Sequence, residues 1–181
     1  MVSFHGIDIR RRHFASPLTG RSMNEQLILG NLVFVLAYLL VFIVAGYVLN
    51  PNRMLNANTV LSWMNATVFA LCAFSMSYLV GITVKSRKAI AAISTALSLS
   101  LAFLSGIFVP QEFLGASVLK VASFTPTYWF VKANNALEMI TTFKWSDISN
   151  VVGYMAIQIG FAAAIISVAL VVSKRKRQQA Y

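Results

Sequence analysis

Residues 27–49 run for 23 positions without a charged side chain. As a helix this stretch measures about 34 Å, against a hydrocarbon thickness of about 30 Å. It is long enough to cross a bilayer and too apolar to sit in water. Residues 59–84, 89–109 and 151–173 likewise contain no Asp, Glu, Lys, Arg or His, which makes four such runs. A composition of 58% hydrophobic and 11% charged residues excludes a water-soluble globular domain. The expected fold class is an all-α membrane protein, residues 1–181 forming a single transmembrane domain with four transmembrane helices.

The charges lie between the runs and set the expected topology. Arg10, Arg11, Arg12, Arg21, Lys85, Arg87, Lys88, Lys174, Arg175, Lys176 and Arg177 fall on one side of a four-span arrangement, 11 of the 15 basic residues. Arg53, Lys120, Lys132 and Lys144 fall on the other. The positive-inside rule then places both termini in the cytoplasm, including the basic tail 174–181. Residues 1–25 set these arginines against Asp8 and Glu25, with Phe4, Ile7 and Phe14 on an apolar side, so they read as an amphipathic surface segment. Ser16 before Pro17 forces a break, and Ser22 with Glu25 has the spacing of a capping box that starts the next helix near Met23. No cleavable signal is expected, because the first apolar run is too long for an h-region.

Residues 105–135 are too polar to span and too apolar for an ordinary loop. Pro110 ends the third run, Gln111 and Glu112 open a short helix, Thr125 and Pro126 break it, and a second short helix carries Tyr128 and Trp129. Residues 110–142 are therefore expected to be an extracytoplasmic re-entrant hairpin between spans three and four. Backbone that turns at membrane depth must be enclosed by protein or line a wet cavity. Glu112 reads in two ways, as a helix cap or as a group that orients a substrate at the outer mouth. Tyr128 and Trp129 are ring types that settle at headgroup level, and Lys132 is expected to snorkel to the interface. Small residues at steps of three and four give packing faces on three spans. These are Ala66, Ala70, Ala73, Ser77 and Gly81; Ala91, Thr95, Ser98, Ala102 and Ser105; and Gly153, Ala156, Gly160, Ala163 and Ser167. Asn65 is expected to bond across helices, with a substrate contact as the alternative reading.

Chemistry of its own is not expected. The uncharged runs lack the ionisable relays of proton-coupled and ion-coupled carriers. The GxxxxGK[ST] phosphate loop is absent, so the chain does not hydrolyse nucleotide, and no catalytic or cofactor site is expected. His5 and His13 lack partners at ligand spacing apart from Asp8, so no metal site is expected. Cys72, the single cysteine, forms no internal disulfide. The basic residues flank apolar runs without interleaved aromatics, which excludes nucleic acid as a partner.

The chain resembles the C-terminal part of the permease subunits of type-2 class ABC transporters, largely exporters. The carriers are RRRHFASPLTGRSM, SGIFVPQEFL and FTPTYWFVKANNAL, in that order. The resemblance implies a coupling helix on the ATPase subunit formed by Arg10, Arg11, Arg12, Phe14, Ser16, Pro17 and Leu18. It implies an outer gate at the re-entrant hairpin, comprising Pro110, Glu112, Thr125, Pro126, Tyr128 and Trp129. It further implies an efflux permease of the bacterial cytoplasmic (cell inner) membrane, which is the plasma membrane. Its partners are an ABC ATPase, which holds ATP and Mg, a second permease subunit and the lipid bilayer. Family members usually have six spans, so the resemblance also implies a chain supplying the missing N-terminal pair, or a truncated fragment. The rival expectation is a non-transporting four-span scaffold or assembly protein.

Overall fold

The computed structural model describes residues 20–49, 56–140 and 145–178, and all its regular elements among them are helices. In chain order these are α1 (Gly20–Leu49), α2 (Ala57–Thr83), α3 (Arg87–Ser105), a 3-10 turn (Gln111–Phe113), α4 (Ala116–Ala122), α5 (Pro126–Met139) and α6 (Trp145–Gln178). Three of them, α2, α3 and α6, are long and apolar enough to cross a membrane. In α1 the apolar stretch found is the shorter Val33–Val48. Several hydroxyls inside the long helices satisfy themselves locally, whereas those of Tyr78 in α2 and Ser105 in α3 are buried without a partner. The hydroxyls of Ser62, Thr67, Ser75 and Thr83 in α2 and Ser167 in α6 each donate to the carbonyl four residues back. A hydroxyl so bonded puts no unsatisfied group into hydrocarbon.

The centre of the molecule is α2, α5 and α6. Ala133, Leu137, Ile140, Val151 and Met155 form the buried cluster, with Leu61, Ala136 and Tyr154 packed against it. α6 runs parallel to α2, because Gln158 meets Asn65 and Cys72 while Lys176 meets the end of α2. The Lys176 ammonium donates to the carbonyls of Ile82 (2.7 Å) and Thr83 (3.0 Å), so the basic stretch after α2 and the basic end of α6 share one end of the molecule. A cation is well placed there, where a helix leaves its last carbonyls unpaired.

The hairpin enters from the opposite end. Asn58 near the start of α2 donates to the Ile140 carbonyl just past α5, and the Phe69 ring stacks on Phe130 with centroids 4.5 Å apart. α5 is therefore antiparallel to α2, and its first turn is its deepest part. From Asn58 to Phe69 the helix rises about 17 Å, which is how far the hairpin reaches along α2. Its turn is closed by its own groups: the amides of Ser123, Phe124 and Thr125 donate to Leu119, Val121 and Ala122, and Trp129 Nε1 donates to the Ser123 carbonyl.

Several boundaries and faces differ from those read in the sequence. The third helix stops at Ser105 and not at Val109, because Gly106 takes the left-handed conformation (φ 98°) and the Ile107 amide turns back to Ala102. The final helix begins at Trp145, ahead of residue 151, since polar residues extend a helix beyond the apolar layer. The small-residue face of α6 is not its buried one, while those of α2 and α3 are covered only in part, Ala66, Ala70, Gly81 and Ala102 being half-buried. In α6, Gly153, Ala156, Gly160, Ala163 and Ser167 are all exposed, while Val151, Met155, Gln158, Ala162 and Ala169 are buried. In α3, Ala91, Thr95 and Ser98 are exposed and Ser105 is buried. In α6 the described residues pack with a different stripe and leave the small one uncovered.

Candidate functional site

Where α2, α5 and α6 meet, polar side chains replace aliphatic ones. Asn65 Nδ2 donates to the Phe130 carbonyl and to Asn134 Oδ1, both at 3.0 Å, and its Oδ1 accepts from Gln158 Nε2 at 2.8 Å. The Cys72 thiol donates to the Gln158 carbonyl at 3.1 Å. Asn65 and Gln158 are each fully buried, and Gln158 Oε1 has no hydrogen-bond partner. The network fixes the register of three helices at one level. It contains no ionisable carboxylate or amine, so its role is to hold the hairpin to the spans and not to transfer protons.

A second set of contacts ties the hairpin to α3. Gln111 Nε2 donates to the Ser105 carbonyl at the end of α3 and to the Tyr128 carbonyl in the first turn of α5. Gly106 allows this, since a Cβ there would lie 2.5 Å from the Gln111 Cγ. Tyr128 packs edge-on to Trp129 at 5.2 Å, and Trp129 lies 5.6 Å from the Tyr154 ring on α6. The hairpin is thus joined to each of α2, α3 and α6.

The gate residues expected from the sequence separate into two groups here. Thr125, Pro126, Tyr128 and Trp129 lie together at the deep end of α5. Thr125 is its N-cap residue, with its hydroxyl spent on the Ala122 carbonyl, and Pro126 takes the first helical position, where its missing N–H costs nothing. Pro110, just before the 3-10 turn, and Glu112 within it are exposed, and Gln111 between them makes the bridging contacts. Tyr128 is buried against neighbouring rings, where headgroup exposure was expected, because α5 enters with its first turn deepest. Arg10, Arg11, Arg12, Phe14, Ser16, Pro17 and Leu18 lie outside the described residues. Gln158 and Asn134 were not read as site residues, although Gln158 is the only carboxamide in its uncharged run.

The family model described as ABC-2 type transporter matches residues 7–139. This chain belongs to the ABC-2 type transporter family. The match takes in α1 through α5 and hence the hairpin as far as Met139. No curated protein and no solved structure gives a match. As an ABC-2 family member, the chain is a multi-pass membrane permease of an ABC transporter. That family is the transmembrane component and is not itself catalytic, which implies a partner ATPase.

Proposed function

We propose that this ABC-2 chain forms the wall of an ATP-driven export path with four spans, both termini cytoplasmic and the hairpin closing the outer side. The observation that carries the reading is the hairpin itself. It reaches about 17 Å into the layer of spans from the end opposite the clustered lysines and arginines, where a plug on the outer mouth of a conduit belongs. The uncovered small-residue stripe of α6 suits a close-packed helix of a second permease subunit.

In this reading the energy comes from a partner ATPase that binds ATP and Mg. Its closure is passed to the spans through Arg10, Arg11, Arg12, Phe14, Ser16, Pro17 and Leu18, and opens the gate at Pro110, Glu112, Thr125, Pro126, Tyr128 and Trp129. The membrane is the bacterial cytoplasmic membrane. The test is co-purification of an ABC ATPase from the native host with the tagged full-length chain, in wild type and in Arg11→Glu/Pro17→Ala. Retention by the wild type and at least about tenfold loss in the variant is the expected outcome, the scale of removing a charged contact from an interface. A chain that retains no ATPase, or a variant that retains it equally, would favour a non-transporting scaffold.

A further inference from the structure

Lys132 does not behave as a lysine on an interfacial helix normally does. Such a side chain extends its ammonium to water. Here Nζ lies 5.5 Å from the Tyr128 ring centre and 5.2 Å from those of Trp129 and Tyr154. Helical side chains lean toward the N-terminus of their helix, and in α5 that is the deep end. The ammonium is therefore drawn back into the layer of spans. Tyr154 stands three residues inside the uncharged run 151–173. Asn65, level with Phe130 and Asn134, stands six inside the run 59–84. At the helical rise these place the charge about 5 to 9 Å below the edge of the apolar layer.

Three ring faces offset part of the cost of holding an ammonium there, at about 0.5 to 2 kcal/mol each. They accept none of its hydrogen bonds in the ordinary sense. Among the described residues no carboxylate pairs with Lys132 and no oxygen accepts from its Nζ, so its N–H donors have only aromatic rings as protein neighbours. The cradle is also fixed, because the Trp129 N–H is spent on the Ser123 carbonyl. Lys132, Trp129 and Tyr154 are each only half-buried, which leaves one side open to a ligand. What this arrangement lacks is an oxyanion. A carboxylic acid brought to this depth would tend to take up a proton, whereas a phosphodiester has a far lower pKa and keeps both its charge and two terminal oxygens.

We infer that Lys132, in its cradle of Tyr128, Trp129 and Tyr154 between α5 and α6, binds the phosphate group of a membrane amphiphile. The inference goes beyond the export reading and holds whichever way solute moves. Trp129 provides the readout. Of the three tryptophans, Trp63 and Trp145 are replaced by Phe in the full-length chain, leaving Trp129 as the only emitter. In dodecyl maltoside micelles, which contain no phosphate, added phosphatidylglycerol is expected to shift Trp129 emission saturably. Lys132→Met should weaken that response about tenfold or more, and Lys132→Arg should stay within about threefold, since both cations make charge-assisted bonds to phosphate. Native mass spectrometry should count one fewer retained phosphatidylglycerol in Lys132→Met, at unchanged helix content. A saturable response to inorganic phosphate in the same micelles without lipid would support the phosphate site and assign its source to water. Identical titrations for wild type and Lys132→Met, or an equal response to added diacylglycerol, which has no phosphate, would overturn the inference.

Discussion

Asn65 and Gln158 show how little polarity is needed to fix a register inside an apolar layer. Interhelical hydrogen bonds in membranes are worth about 0.6 kcal/mol on average and at most about 1.7. Asn65 makes three such bonds and is fully buried. Asn65→Ala is therefore expected to destabilise the chain by about 2 kcal/mol, and unfolding in detergent by added denaturing surfactant measures it. Gln158→Met keeps the shape and removes a buried oxygen that has no partner, so it should cost less. In the double variant the two losses should not add, because each single change already breaks the Asn65–Gln158 bond.

At the scale of elements, two glycines play opposite parts. Gly106 closes α3 at φ 98° with the Gln111 side chain against the position of a Cβ. Gly106→Ala should lower stability by about 1 to 2 kcal/mol, the cost of the left-handed conformation alone, and also displace the bridge between α3 and α5. Gly160 has nothing within 4 Å of the corresponding position. Gly160→Leu should leave the melting temperature of the isolated chain within a few degrees, but abolish its association with a second permease subunit in crosslinking or gel filtration. Dimer formation by Gly160→Leu at wild-type strength would remove this stripe from the interface.

At the scale of the whole molecule, the sidedness of the charges is the quantity to measure. Cys72 is fully buried and is the only cysteine, so Cys72→Ala gives a background free of thiol labelling. In intact cells, a membrane-impermeant maleimide is expected to label Glu112→Cys, which is exposed at the hairpin end. Ser86→Cys, exposed between the basic residues at the other end, should label only after the membrane is opened. The reverse pattern would invert the proposed orientation and place the hairpin in the cytoplasm.

Sequence by itself determined that this chain is a bundle of apolar helices with its basic residues gathered between them. Runs without charge and the positions of Thr125 and Pro126 are local properties, and local properties decide where helices start and stop, although Gly106 closed α3 ahead of Pro110. Asn65 was legible as a cross-helix donor for the same reason, since an amide in hydrocarbon must find a partner. Only the tertiary structure decided which partner it found and which face of each helix was buried. The small-residue stripes of α3 and α6 pointed to packing, yet Gln158, Val151 and Met155 took that place in α6. A helix in an apolar medium has no hydrophobic force to choose its buried side, so the choice falls to a few hydrogen bonds and close contacts between residues far apart in the chain. The inward turn of Lys132 belongs with these, because it depends on α5 entering the bundle by its first turn, a direction set by its pairing with α2.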